Sequence, residues 1–266
     1  MRIALISHTH FYWTGLYARY YNLYRLTNTK RPDSVYNIPV TRPDPGPDGR
    51  AGTADDPGTT LTYYEYPTSY VGLQFLQGML VNDPRNVAKF SSVEVAIAKR
   101  LSNGWHAMAS YSATKKHLPF GSVDPVPSDP NAEINTADNT WTKIGKINAS
   151  YLLPWGVNLS ANFESRSGDP WQRSVLVTGG RTIPSLVMNV EPVGTRQLPT
   201  INLFDMRVDK QFRLTKGHKF SVRMNVFNLM NADTATIITG RSGANFGQVT
   251  SILPGRVAEL GATYSF

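Results

Sequence analysis

The sequence predicts an all-β chain: an antiparallel, up-and-down sheet of about eight long strands, of the kind that crosses a membrane as a portion of a β-barrel. Three observations carry this. Apolar and polar residues alternate with period two over stretches of about 10–14 residues, near the roughly 9–11 that cross a bilayer at a tilt. Short turns and long connections alternate strictly along the chain, as in barrels with short turns on one side of the membrane and long loops on the other. The chain ends inside an amphipathic strand, with Ala258, Leu260, Ala262, Tyr264 and Phe266 on one face and Val257, Glu259, Gly261, Thr263 and Ser265 on the other.

The amino-terminal residues 1–15 are left unassigned. Met1-Arg-Ile-Ala-Leu-Ile6 holds only four apolar residues after its one cation before Ser7-His-Thr-His10. That is shorter than the roughly 7–15 apolar residues of a secretory signal, and a fragment or a mis-started gene product is expected. Strands are then expected at about 16–26, 89–101, 104–115, 141–153, 156–167, 201–214, 218–229 and 256–266. Their faces are cleanest in three more places. Val157, Leu159, Ala161 and Phe163 oppose Asn158, Ser160, Asn162 and Glu164. Phe204, Met206, Val208 and Phe212 oppose Asp205, Arg207, Asp209, Gln211 and Arg213, with Lys210 interrupting the apolar face. Phe220, Val222, Met224 and Val226 oppose Ser221, Arg223 and Asn225. Such alternation argues for half-buried strands.

Ser102-Asn103-Gly104, Pro154-Trp155-Gly156 and Thr215-Lys216-Gly217 are the short turns; Asn103-Gly104 suits a type I′ hairpin, which needs two positive φ angles. The long connections are 27–88, 116–140, 168–200 and 230–255. With the carboxy terminus in the periplasm, every short turn falls there and every long loop outside. Trp105, Trp141, Tyr151, Trp155, Tyr264 and Phe266 lie near strand ends, where aromatic girdles form.

Composition permits this class and excludes others. Among 266 residues 41% are hydrophobic, mean hydropathy is −0.29, and no run approaches the roughly 20 apolar residues of a spanning helix. Cysteine is absent, which removes disulfides, thiolate catalysis and Cys-ligated zinc. The net charge of +8 is scattered rather than gathered into a stripe, so nucleic acid is not an expected partner; lipid phosphates suit a basic surface equally well. The five histidines show no metal-binding spacing, and no nucleophile elbow or phosphate loop appears; no enzyme activity is expected. Asp44, Asp48, Asp55 and Asp56 lie among Gly46, Gly49 and Gly52. Converging carboxylates suit Ca²⁺, while a solvated turn-rich loop explains the same residues. Lumen-side Arg207, Arg223 and Glu164 are expected to satisfy one another through cross-strand ion pairs.

The carboxy-terminal half resembles the barrel of a TonB-dependent outer-membrane receptor. The resemblance rests on Asn202-Leu-Phe-Asp-Met-Arg-Val-Asp-Lys-Gln-Phe212, Phe220-Ser-Val-Arg-Met-Asn-Val-Phe-Asn-Leu-Met-Asn231, Asn245-Phe-Gly-Gln248, Pro254-Gly-Arg256 and the terminal strand. Tyr36-Asn-Ile-Pro39, Asp44-Pro-Gly-Pro-Asp-Gly-Arg-Ala-Gly-Thr-Ala-Asp-Asp56 and Tyr63-Tyr-Glu-Tyr66 are similar to the Oar-like subgroup, whose members carry a carboxypeptidase-regulatory-like domain. It covers about residues 16–266. It implies a Gram-negative outer-membrane location, contact with lipid and lipopolysaccharide, and loops that capture a large or scarce solute. It also implies recognition by the barrel-assembly machinery through Leu260, Tyr264 and Phe266. No TonB box or plug is present, so contact with the TonB complex would run through a plug that this chain lacks. Eight strands against the roughly 22 of plugged transporters points to an incomplete portion. Two other classes stay open: a free-standing small porin-like or adhesive barrel, and a soluble carbohydrate-binding β-sandwich.

Overall fold

The computed structural model describes residues 2–6, 8–120 and 129–266, with side chains from His8 onward, Lys216 excepted. Residues 121–128 of the loop expected over 116–140, and Met1 and Ser7 of the amino-terminal segment, lie outside the described residues.

One antiparallel sheet of nine strands dominates. Its strands are β1 (Arg2–Ile6), β2 (Thr9–Tyr20), β3 (Ala88–Ser102), β4 (Trp105–His117), β5 (Trp141–Leu153), β6 (Val157–Arg166), β7 (Ile201–Arg213), β8 (Lys219–Phe227) and β9 (Val257–Ser265). Each pairs only with its neighbours in chain order, so the sheet is a continuous meander. The strand expected over 16–26 is the one that moves. Its hydrogen-bonding run starts at Thr9, and the strand ends at Tyr20, just before Asn22 takes a φ of 52°. Aromatics sit on both faces here, Tyr12 and Tyr20 on one and Phe11, Trp13 and Tyr17 on the other, which blurs the alternation that located the other strands.

Register joins the apolar faces of separate strands into one surface. Leu260 lies opposite Met224, Met224 opposite Val208, Val208 opposite Leu159, Leu159 opposite Tyr151 and Tyr151 opposite Trp105. Further along, Phe163, Ile147, Ala109, Ile97 and Phe11 form another row across five strands. No second sheet covers this face among the described residues, and Ile97, Tyr111, Ile147 and Met224 remain exposed on it. A β-sandwich would bury them, so that class does not fit. Nor does the sheet close on itself: among the described residues β1 and β9 are its two edges.

Trp105 lies ten residues along β4 from Lys115, which faces Trp141. At about 3.4 Å per residue and a tilt near 40° this separation is roughly 26 Å, the height of the apolar band on membrane barrels. No described helix is long and apolar enough to cross a membrane.

All short connections sit at one end of the sheet, the turn end, including the one between β1 and β2. Asn103 and Gly104 have φ of 52° and 80°, the two positive angles the sequence anticipates. Trp155 also holds a positive φ of 65°, uncommon for a bulky residue. Its carbonyl accepts a hydrogen bond from the Lys210 ammonium. That contact accounts for the lysine on an otherwise apolar face, since its charge is returned to the turn.

The four long loops gather at the opposite, loop end. Three of them carry short strand pairs rather than irregular chain alone: Tyr24–Asn28 with Gly78–Asn82 and Ile38–Pro43 with Thr60–Glu65 in the first, Ser174–Thr178 with Ser185–Asn189 in the third, and Ala235–Ile238 with Val249–Ile252 in the fourth. The buried cluster lies here, not in the sheet: Leu61, Tyr63, Val175, Val177 and Met188, flanked by Val40, Ile134, Leu186 and Val190.

The register makes the two faces of β9 unequal in tolerance. In phospholipid vesicles, Leu260→Arg is expected to lower the folding free energy by about 2–4 kcal/mol, read as a drop in urea midpoint. Glu259→Gln on the opposite face should change it by well under 1 kcal/mol; equal effects would contradict the assignment of faces.

Candidate functional site

The loop layer holds most of the buried charge. Arg173, beside the strand Ser174–Thr178, is 5% exposed and reaches across to the first loop. Its guanidinium donates to both oxygens of Asp44, at 2.8 and 2.5 Å, to the Gly46 carbonyl at 3.0 Å, and to Ser242 Oγ at 3.1 Å. One side chain therefore ties the first, third and fourth loops together. A planar fork suits this, because guanidinium and carboxylate match in two parallel bonds. The backbone reinforces it: Ser242 N–H donates to the Ser174 carbonyl at 2.8 Å and Gly243 N–H to the Pro47 carbonyl at 2.9 Å.

The second loop joins through Asn131. Its buried amide accepts from Tyr64 N–H at 2.7 Å and donates to the Tyr64 carbonyl at 2.9 Å, filling the backbone valences of a strand edge. Arg25 and Arg85 add a charged contact with Asp33, Asp83 and Glu133, with Phe120 beside both guanidinium groups. Burial opposes ionisation of Asp83, but hydrogen bonds from Arg85 and Arg25 outweigh it and hold the carboxyl below its ordinary value. Burial pushes Glu133 the other way, ahead of its attraction to the two arginines.

The third loop closes on itself through Glu191, which accepts from Arg196 at 2.9 Å on both oxygens. Arg196 also lies over the rings of Trp171 and Phe246. The Arg196 hydrogen bond is the main cause holding the Glu191 carboxyl low, followed by burial acting against it and the Arg173 N–H acting with it.

The four aspartates separate into two groups. Asp44 is engaged by Arg173. Asp48, Asp55 and Asp56 bring one carboxylate oxygen each within 4.8 Å of one another. Thr53 Oγ1 donates to Asp55 at 2.6 Å, Asp48 N–H to Asp55 at 2.9 Å, and Gly52 N–H to Asp56 at 2.6 Å. The first two bonds, in that order, keep the Asp55 carboxyl below its ordinary value. Three hard oxygen donors converging on a tight turn are of the kind that could hold Ca²⁺.

On the terminal strand, Leu260 and Tyr264 project from the apolar face opposite Met224 and Phe220. Tyr264 stacks on His218, with its hydroxyl 2.9 Å from Nδ1, and Phe266 packs 6.1 Å from it. Tyr264 and Phe266 thus sit in an aromatic cluster at the turn end, with Phe212 and Phe220 beside it, whereas Leu260 lies four residues away along the strand and is exposed.

The polar face departs from the expected ion pairs. Glu164 meets Lys146 at 3.2 Å and Arg166 at 3.4 Å, while Arg207 meets Asp209 at 3.2 Å. Arg207 lies opposite Ser160, four residues from Glu164, too far along the sheet for contact. Arg223 lies instead over Gly261, where a Cβ would stand 2.7 Å from its Nε.

The sequence gives no local sign of Arg173, Asn131 or Arg25. Their partners are up to 129 residues away, and only a shared loop layer brings them together.

No protein-family model matches the chain, and no curated protein does. Among solved structures it is similar to the outer membrane transporter YddB from Escherichia coli, with 12% identity and a TM-score of 0.48 over 98% of this chain. It is also similar to the copper transporter OprC, with 14% identity and a TM-score of 0.33 over 99% of this chain. The chain spans 31% of the first protein and 38% of the second.

Two outcomes follow from the loop contacts. Arg173→Ala strands a buried carboxylate and should cost about 3–5 kcal/mol of loop-layer stability, seen as rapid proteolysis near residues 44–58 with strand circular dichroism retained. Replacing both partners, as Asp44→Leu with Arg173→Met, should recover much of that loss. The second outcome concerns pH. A carboxyl held low when folded contributes stability above its ordinary value of 4.5 and loses it as pH falls through the lower folded value. Cleavage near residues 190–197 should therefore rise only below about pH 4.5, and Glu191→Gln should flatten that dependence.

Proposed function

We propose that this chain forms part of the wall and the extracellular loops of an outer-membrane TonB-dependent receptor of the Oar-like kind. The carrying observation is the register, which makes one uncovered apolar face out of the seven strand pairings from β2 to β9 and sends every long loop to the same end. A face of that height needs hydrocarbon against it, and the loops then lie together on one side of the bilayer. That side is the cell exterior in this reading, and the loop layer is where a scarce solute first meets the protein. Coupling to the TonB complex belongs to a plug outside this chain. Leu260, Tyr264 and Phe266 are the element read by the assembly machinery, because they present an aromatic, apolar edge on β9.

The absence of cysteine makes orientation directly measurable. Ala51→Cys in the first loop is expected to react with a membrane-impermeant maleimide on intact cells. Thr215→Cys at the turn end should react only after the outer membrane is permeabilised. Reversed labelling, or equal labelling of both, would overturn the orientation.

Ca²⁺ at Asp48, Asp55 and Asp56 belongs to the same reading, as a clasp on the capture loop. Added Ca²⁺ should slow proteolysis within residues 45–58, and Asp55→Asn should abolish that protection. Protection unchanged by the substitution would remove the assignment.

A further inference from the structure

The apolar face treats its cations differently at its two ends. At the turn end, Lys99 donates to the Ser102 carbonyl and hydroxyl at 3.0 and 2.8 Å and to the Trp105 carbonyl at 3.0 Å, and it lies 3.8 Å from the Trp105 ring centre. Lys210 likewise donates to the Trp155 carbonyl. Both charges are absorbed by the chain itself.

At the loop end the same face carries Arg19, Lys89, Lys115 and Lys143, on four successive strands. Arg19 is directly opposite Lys89. Lys115 lies two residues before the partner of Lys89, and Lys143 two residues beyond the partner of Lys115. Among the described residues none of the four forms an ion pair. Arg19 lies over Tyr21 and Lys115 near Trp141, contacts that leave the cationic hydrogen-bond donors available. The neighbouring inward-facing Lys116 is paired, at 2.8 Å, with Asp138. No acid occupies the adjoining outward strand positions, which are Tyr17, Ser91, Ala113, His117, Trp141 and Gly145.

Like charges directly opposite across a sheet are destabilising, so the Arg19–Lys89 pairing costs stability unless an anion lies between them. The four groups spread over three strand spacings, roughly 14 Å, too wide for one phosphate and suitable for two. Their place is the rim where hydrocarbon ends, marked by exposed Trp141 and Tyr17.

We infer that Arg19, Lys89, Lys115 and Lys143 form a docking site for an anionic lipid whose headgroup carries more than one phosphate, seated at the leaflet on the loop side. This rests on the membrane reading above and adds the chemistry of one lipid to it. The acyl chains lie along the apolar face beneath, and the phosphates bridge neighbouring cations.

The test uses the full chain in phosphatidylcholine vesicles containing dansyl-labelled lipid A, read by energy transfer from tryptophan. The chain should bind diphosphorylated lipid A at least about tenfold more tightly than R19Q/K89Q/K115Q/K143Q does, and added salt should weaken binding. K99Q/K210Q should bind as the parent does. The quadruple variant should unfold at higher urea than the parent in phosphatidylcholine alone, where repulsion is removed, and at lower urea with lipid A present. Unchanged affinity in the quadruple variant would overturn the proposal, as would equal affinity for lipid A stripped of phosphate. Equal affinity for phosphatidylglycerol would overturn the assignment to more than one phosphate. A chain that shows no strand signal in vesicles of any composition overturns the membrane reading, and the lipid site falls with it.

Discussion

Strand register is the constraint on which the rest of this structure depends. Side chains on a strand alternate with a period of two, so a slip of one residue in any pairing moves a whole strand's apolar set to the other side. Here the pairings from β2 to β9 keep Phe11, Ile97, Ala109, Ile147 and Phe163 in one row and Trp105, Tyr151, Leu159, Val208, Met224 and Leu260 in another. In hydrocarbon there is no water to satisfy an unpaired amide, so backbone pairing within the sheet is obligatory and register is all that remains to choose. The short turns at 103–104 and 154–156 fix that choice locally, because their positive φ angles admit few loop lengths.

Once the apolar face is turned outward, the protein cannot build its core from the sheet. The buried cluster of Leu61, Tyr63, Val175, Val177 and Met188 is assembled from loop hairpins instead. Such a small core leaves much of the cohesion to polar contacts. The Arg173–Asp44 pair and the Asn131 clamp on Tyr64 are of the expensive kind: buried groups that are favourable only when every partner is present. They specify which loop meets which more than they add raw stability.

This division explains what was legible in the sequence. A strand that faces hydrocarbon on one side and a polar lumen on the other writes its period into consecutive residues, and 141–153 is recovered to the residue. Where both faces carry aromatics, as from Phe11 to Tyr20, the same reading misplaces the strand by seven residues at its start. The loop layer leaves a weaker trace. Hairpins such as Ser174–Thr178 are only five residues long, and the charges that lock them are paired over great sequence distances. The aspartate loop shows both sides: its composition announces converging carboxylates, yet nothing local tells that Asp44 serves Arg173 while Asp48, Asp55 and Asp56 face one another.

The two layers therefore answer to different solvents. In the membrane reading proposed above, the sheet is stabilised by removal of its outer face into hydrocarbon, a term that is absent in water. The loop layer has its own small core and its own ion pairs, all at the end where the chain leaves the apolar band. A fall in pH acts in the loops, protonating Glu133, which burial holds high, before Asp83 and Glu191, whose arginine hydrogen bonds hold them low. They are joined at the loop ends of the strands: by Ala88 and Ile201, both buried, by the Lys116–Asp138 ion pair, and by the bonds from Leu118 N–H to the Asp138 carbonyl at 2.9 Å and from Asn228 N–H to the Asp205 carboxylate at 2.8 Å. Register below is set by pairing between neighbouring strands, so in the proposed receptor a loop could rearrange on meeting a solute while the strand pairings are kept.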